Sequence, residues 1–290
     1  MANPKVSVII PTHNRPEMLV RALHSVFAQT YKNIEVVVVN DASTDNTLDV
    51  LSTINDARMV VISNAASRGA CAARNKGIHA ASGDFVTFLD DDDEYLPHRI
   101  TDFVQNYDSS YAYISCGYRI IKPGGSTHDV CFTNTEVKLN DVLYEQVVGT
   151  MLMTTKANLE KIGGFDERLP SSQDYDLVIN ITHQLGHGKY LKKIGALIHT
   201  EHELERITTS SKKAKGHWMV YKKYKHLFNR SQKGFKLYEL LVYKNKKITL
   251  KLIFLLVPSF YRKRAFKTFL GQLFPSLKRW FFNIKGHFSR

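Results

Sequence analysis

Acidic residues are almost missing from one end of this 290-residue chain. Residues 210–290 contain 21 Lys and Arg but a single acid, Glu239, whereas residues 1–209 hold 19 basic residues against 26 acidic ones. The formal charge of +13 is therefore carried by one end, and the acidic front and basic tail are expected to do different work. Cysteine is scarce as well. Cys71, Cys116 and Cys131 are odd in number and fit no zinc or redox spacing, which excludes a disulfide scaffold and suggests a reducing compartment. Long apolar runs are lacking. The most apolar stretch, ITLKLIFLLV at 248–257, is interrupted by Lys251 and reaches about half of the roughly 20 residues that a spanning helix needs. The N-terminal residues run straight into a strand pattern, so no secretory signal is expected. A hydrophobic content of 43% with 23% charged residues excludes disorder as the default.

What is present alternates. VSVII at 6–10, IEVVVVN at 34–40, MVVIS at 59–63 and DFVTFLD at 84–90 are short β-branched runs that suit buried parallel strands. Between them lie a helical pattern from Arg15 to Gln29, a helix expected to be capped by Ser43 or Thr44, and a small-residue helix over 69–83. Such alternation predicts an α/β fold, a mostly parallel sheet between helices. After Pro97 the pattern loosens: a helix, strand, turn, strand, helix, loop and helix are expected, then a late strand at 189–202. The composition turns to Lys, Tyr, Phe and Leu near Ser210. This places one domain at 1–209 and a basic, largely helical extension at 210–290.

In open sheets of this kind ligands bind beyond the carboxyl ends of the strands. Three polar sets fall on that edge: Thr12-His13-Asn14, Asp41-Ala42-Ser43, and the four carboxylates Asp90, Asp91, Asp92 and Asp93. A hard divalent cation, Mg²⁺ or Mn²⁺, takes oxygen ligands and keeps positions for phosphate oxygens. Asp90 and Asp92, two residues apart, can point to one side of an extended segment, as a D-x-D pair requires. Asp91 then faces a ribose or solvent and is the replaceable member, while Asp93 orients a ligand from behind. Spacing alone equally allows a solvated acidic turn. Asp41 can accept an imide N–H of a nucleobase or cap the following helix, and Arg74 can meet phosphate or a surface acid.

Together, VSVIIPTHNRPEMLVRALHSVFAQTYKNIEVVVVNDASTDNT and ARNKGIHAASGDFVTFLDDDDEYLP resemble the inverting family 2 glycosyltransferases of the GT-A nucleotide-sugar-binding fold, over roughly residues 5–205. The resemblance implies a nucleoside pocket lined by Pro11, Thr12 and Asp41, with Asn14 on the same edge and Arg74 near the nucleotide. Asp90 and Asp92 become the D-x-D whose metal bridges the diphosphate. It also implies an acceptor-activating carboxylate before a helix. The match is SSQDYDLVIN, with Asp174 as base, Gln173 where the family has Glu, and Asp176 as the fallback. In LIHTEHELER, His199, His202 and Arg206 are expected near the metal or phosphates. The implied partners are a nucleotide-sugar donor, most simply a UDP-sugar, and a glycan or lipid-linked acceptor in surface polysaccharide synthesis.

The tail spaces Phe266, Phe269, Leu270, Leu273, Phe274, Leu277, Trp280, Phe281 and Ile284 by threes and fours among basic residues, with Pro275 dividing the run. A basic amphipathic segment of this kind suits an anionic membrane surface, so a cytoplasmic protein peripheral to the inner face of the plasma membrane is expected. Packing on the catalytic domain is the alternative. No zinc-finger or RNA-binding motif accompanies the charge, so nucleic acid is not an expected partner. Two rivals are a sugar-phosphate nucleotidylyltransferase, which needs a Gly-rich loop where PTHNRP stands, and a non-catalytic polybasic binder.

Overall fold

The computed structural model describes residues 3–149, 151–201 and 212–274. The chain divides into two compact units, Met1–Arg206 and Ile207–Arg290.

The first unit is built on one sheet. Strands β1 (Val6–Thr12) and β2 (Ile34–Asn40) are buried at every residue, as continuous β-branched runs covered on both faces should be. With β3 (Met59–Ser63) and β4 (Phe85–Phe88) they form the parallel half, in the order β3-β2-β1-β4. The other half holds β5 (Glu94–Tyr95), β6 (Tyr113–Ile121), β7 (Thr127–Val130), β8 (Glu136–Val137), β9 (Met153–Thr155) and β10 (Gly188–His199). Here the structure departs from a mostly parallel sheet. The three residues of β9 insert between β4 and β6 and run antiparallel to both, while β6 and β10 are parallel. A strand this short carries too little periodicity to reveal its direction.

Helices cover the sheet: α1 (Pro16–Phe27), α2 (Thr47–Thr53), α3 (Ala70–Ala80), α4 (Arg99–Asn106), α5 (Leu139–Tyr144), α6 (Lys156–Ile162) and α7 (Gln173–Leu185). Pro16 opens α1, where its missing N–H leaves no bond unmade. Helix α2 begins at Thr47, later than the expected cap at Ser43 or Thr44. The Thr44 amide instead donates to Asn14 Oδ1 at 2.8 Å, and Asp45 Oδ1 accepts from the Thr47 amide at 3.0 Å. Those bonds hold 43–46 as a loop.

The small residues of α3 have a packing purpose. A Cβ built on Gly77 would lie 2.4 Å from Ile9 Cγ2, so only glycine lets α3 settle this close to the central strand. That approach carries Arg74 to the sheet edge. Ile9 is fully buried and has no room to retreat. Gly77→Ala is therefore expected to destabilise the domain by roughly 1–3 kcal/mol, the usual cost of overpacking, despite alanine's better helix propensity. An unchanged or raised melting temperature would contradict this packing account.

The second unit contains α8 (Lys212–Tyr224), α9 (Arg230–Tyr243), α10 (Leu250–Leu256) and α11 (Ser259–Leu273). Val220, Tyr224, Phe228, Phe235, Tyr238, Ile253 and Val257 give it a small core. Phe235 stacks on Tyr261 at 4.4 Å. Helix α9 starts with a reciprocal cap between Asn229 and Gln232. Of the expected amphipathic run, Phe266, Phe269, Leu270 and Leu273 lie on α11 and Phe274 follows it, whereas Leu277, Trp280, Phe281 and Ile284 lie outside the described residues. Among the described residues no helix is long and apolar enough to cross a membrane.

Candidate active site

The ends of β1, β2 and β4 bring three loops to one edge of the sheet. β1 ends at Pro11-Thr12, both buried. The Asp41 amide donates to the Thr12 carbonyl at 2.9 Å, and Ala42 follows with φ of 57°, a left-handed conformation that alanine rarely adopts. The turn aims Asp41 at segment 64–69. Asp41 Oδ1 accepts from Asn64 Nδ2 at 2.7 Å and the Arg68 amide at 3.0 Å; Oδ2 accepts from Ser67 Oγ at 2.8 Å and the Gly69 amide at 2.7 Å. Burial works to raise its pKa, but these donors hold it below the ordinary carboxylate range. Asp41 therefore does not cap α2. Its acceptor positions are filled by the segment leading into α3.

Asn14, expected toward the nucleotide, ties two loops together. Its amide donates to Ser43 Oγ at 2.9 Å, its side chain accepts from Thr44, and it too has positive φ, 53°. Arg74 is buried and donates to Asp90 Oδ1 at 2.5 Å, with its guanidinium 5.4 Å from the Phe165 ring centre. Burial opposes its charge, yet Asp90 holds its pKa above the ordinary value. The next residue, Asn75, was not singled out from the sequence. It clamps the turn before α7, accepting from the Phe165 amide at 2.8 Å and donating to the Phe165 carbonyl at 2.9 Å.

The four aspartates separate. Side-chain oxygens of Asp90, Asp92 and Asp93 all lie within 4.8 Å of one another. Asp93 thus joins the expected pair directly, rather than standing behind it. Three carboxylates this close, beside open sheet-edge loops, fit a hard divalent cation. Asp91 stands outside that trio and is not a replaceable surface group. It is buried, accepts from Thr12 Oγ1 at 2.8 Å, and pairs with Arg15 Nη1 at 3.1 Å. Burial, aided by Asp92 and Asp90 and opposed by Arg15, pushes its pKa up to about 6. Arg15 also lies 3.4 Å from Asp92, and Arg21 Nη2 donates to the Asp92 carbonyl at 2.5 Å. Neither arginine was selected from the sequence; the signal was their place, Arg15 in PTHNRP as the residue that caps α1 and Arg21 six residues on within that helix.

His199 ends β10. Its amide donates to Asp93 Oδ1 at 2.9 Å, while Nε2 lies 2.7 Å from Glu94 and Nδ1 2.5 Å from Glu201. Its ring meets Glu94 and Glu201, and its backbone amide reaches the carboxylate cluster at Asp93. His202 and Arg206 lie outside the described residues. Gln173 opens α7, and Ser172 before it has φ of 64°. Asp174, in the first turn, accepts from the Tyr175 amide at 2.9 Å and from the Gln146 side chain. Desolvation pushes its pKa up, with Gln146 and Arg74 acting against it and Asp90 reinforcing it. Asp174, Arg74 and Asp90 are thus in electrostatic reach of one another. The fallback, Asp176, is 1% exposed inside the α7 packing, which leaves Asp174 as the accessible carboxylate of the two.

An α/β domain with a carboxylate cluster on one edge of its sheet is the class that these elements define. The family model described as glycosyl transferase family 2 matches residues 7–151. The putative colanic acid biosynthesis glycosyl transferase WcaA of Escherichia coli K12 is 30% identical over 257 residues, covering 85% of this chain and 91% of that protein. The chain belongs to glycosyl transferase family 2 and is a glycosyltransferase. The GalNAc(5)-diNAcBac-PP-undecaprenol beta-1,3-glucosyltransferase of Campylobacter jejuni is 31% identical over 171 residues, covering 57% of this chain and 55% of its own. In fold, the S. aureus TarS 1–349 structure in complex with UDP-GlcNAc matches with a TM-score of 0.69 at 20% identity, covering 99% of this chain and 93% of that one. Membership decides against the nucleotidylyltransferase and the non-catalytic binder.

Replacing Asp91 tests the division of the four aspartates. Because burial raises the Asp91 pKa to about 6, its charge opposes folding once ionised. Asp91→Asn, which keeps an oxygen for Thr12 and Arg15, is expected to flatten the decline in urea-unfolding stability as pH rises toward about 6. A replaceable surface residue would show no change.

Proposed function

We propose that this glycosyltransferase moves a sugar, with inversion at the anomeric carbon, from a UDP-sugar to a hydroxyl of a glycan or lipid-linked glycan in surface-polysaccharide assembly. One observation carries the reading: Asp90, Asp92 and Asp93 converge at the sheet edge with Asp174 in electrostatic reach. The UDP-GlcNAc complex of TarS and the undecaprenol-linked acceptor in the Campylobacter relative's name support the substrate classes. Pro11, Thr12 and Asp41 line the nucleoside side, and Arg74 lies beside the diphosphate. Asp90, Asp92 and Asp93 would hold Mn²⁺ or Mg²⁺, which would supply positive charge to offset that of the departing diphosphate.

Asp174 accepts the acceptor hydroxyl's proton as that oxygen bonds to the anomeric carbon, on the face opposite the breaking bond to the diphosphate. A carboxylate lifted above its ordinary pKa by desolvation is a stronger base than one in water. The first domain, 1–209, carries this chemistry. The basic tail, 210–290, places the enzyme at the cytoplasmic face of an anionic membrane, where a lipid-linked acceptor resides.

Asp174→Asn is expected to lower transfer about 10²–10⁴-fold, the usual contribution of a general base, while UDP-sugar affinity stays nearly unchanged. In the parent enzyme, kcat/KM should fall as pH drops through the raised pKa of Asp174, above the ordinary value of 3.8, and that acid limb should vanish in the variant. A donor screen across UDP-sugars, read by UDP release, supplies the substrate. Retained transfer, or equal loss of donor binding, would contradict the assignment.

A further inference from the structure

The second unit turns an apolar edge outward. Helix α10, LKLIFLL, is apolar nearly all round. One face packs inward through Ile253 and the following Val257, both buried, and the Leu256 carbonyl lies so close to α9 that a Cβ on Gly234 would be 2.9 Å from it. The opposite face leaves Phe254 55% and Leu255 71% exposed, and Phe260, at the start of α11, is 65% exposed. A soluble helix ordinarily puts polar residues there.

The surroundings carry one sign of charge. Between Lys244 and Arg264 there are seven Lys and Arg and no acid. Glu239, the sole acid of residues 210–290, is neutralised internally by Lys236 at 2.7 Å, with both side chains largely buried. Arg262 lies 5.0 Å over the exposed Phe254 ring while donating to the Val257 carbonyl at 3.2 Å, so a cation flanks the apolar tip and closes the helix end.

We propose that the α10–α11 corner, tipped by Phe254, Leu255 and Phe260, is the surface by which this protein enters the interface of an anionic lipid bilayer. Lipid headgroup phosphates match the cations, and the acyl boundary accepts the three side chains. A second copy would set cation against cation, and a nucleic acid would leave the apolar tips in water. The proposal gives the membrane-side location above its contact surface, but needs no turnover to be read.

The test uses the full chain and vesicles of phosphatidylcholine with or without phosphatidylglycerol. Co-sedimentation should show the parent on the anionic vesicles only. The triple variant Phe254→Ser, Leu255→Ser, Phe260→Ser, with every cation kept, should bind at least about thirtyfold more weakly, as expected from partial burial of three large apolar side chains. In a Trp218→Phe, Trp280→Phe background, which removes the two native indoles, Leu255→Trp should give blue-shifted emission on these vesicles, quenched by brominated acyl chains. Equal affinity of parent and triple variant would overturn this surface while leaving attachment by charge intact. An unshifted Leu255→Trp spectrum would overturn it even if the triple variant misfolds. So would a vesicle-free dimer abolished by the triple variant, or duplex DNA bound as tightly as vesicles by both proteins.

Discussion

Four consecutive carboxylates can end a buried strand only if something offsets their repulsion, which at separations of 4–5 Å amounts to a few kcal/mol per pair even at an effective dielectric of about 20. In this chain the offset comes from arginines on two helices. Arg15 and Arg21 reach down from α1 to Asp91, Asp92 and the Asp92 carbonyl, and Arg74 reaches across from α3 to Asp90. Much of the first unit serves that arrangement. Gly77 lets α3 lie against β1, Pro16 starts α1 beside the cluster, and Asn14 ties the neighbouring loops. Arg15 and Thr12 hold Asp91, and side-chain oxygens of Asp90, Asp92 and Asp93 lie within 4.8 Å of one another.

The same logic reaches the rest of the site. Asp41 is held ionised by the segment that launches α3, so the setting of Asp41 and the position of Arg74 depend on one loop. Asn75, beside Arg74, fixes the Phe165 turn that leads to α7 and Asp174. ARNKG therefore joins the carboxylate cluster to the turn that leads to α7. The basic tail folds around a core of its own and exposes apolar tips among cations.

How much of this was legible in sequence follows from what local patterns encode. The parallel strands were readable because continuous β-branched runs such as VVVV have no other stable setting. The edge positions of Asp41 and Asp90 followed from the ends of those strands, and the family resemblance supplied their roles. The direction of β9 was not legible, because direction is set by long-range pairing and three residues carry no register. Arg15 escaped notice because its partner is 76 positions away and nothing local marks a helix-cap arginine as the counter-charge of an aspartate. The role given to Asp91 was reversed for a related reason: alternation along an extended segment separates odd from even residues, but does not say which side is water. In the tail, periodicity pointed to Phe266 and beyond, whereas among the described residues the most exposed large apolar side chain is Leu255 on the preceding helix, because packing on α9 decides which apolar face remains outside.

The central claim is that Asp90, Asp92 and Asp93 form a cation site completed by a nucleoside diphosphate. Electron paramagnetic resonance of Mn²⁺, titrated with protein and UDP, reads it without catalysis. The parent should remove the free Mn²⁺ signal near one equivalent in the presence of UDP, and Asp92→Asn should leave most of it at equal protein. Equal uptake by the two proteins would contradict the claim.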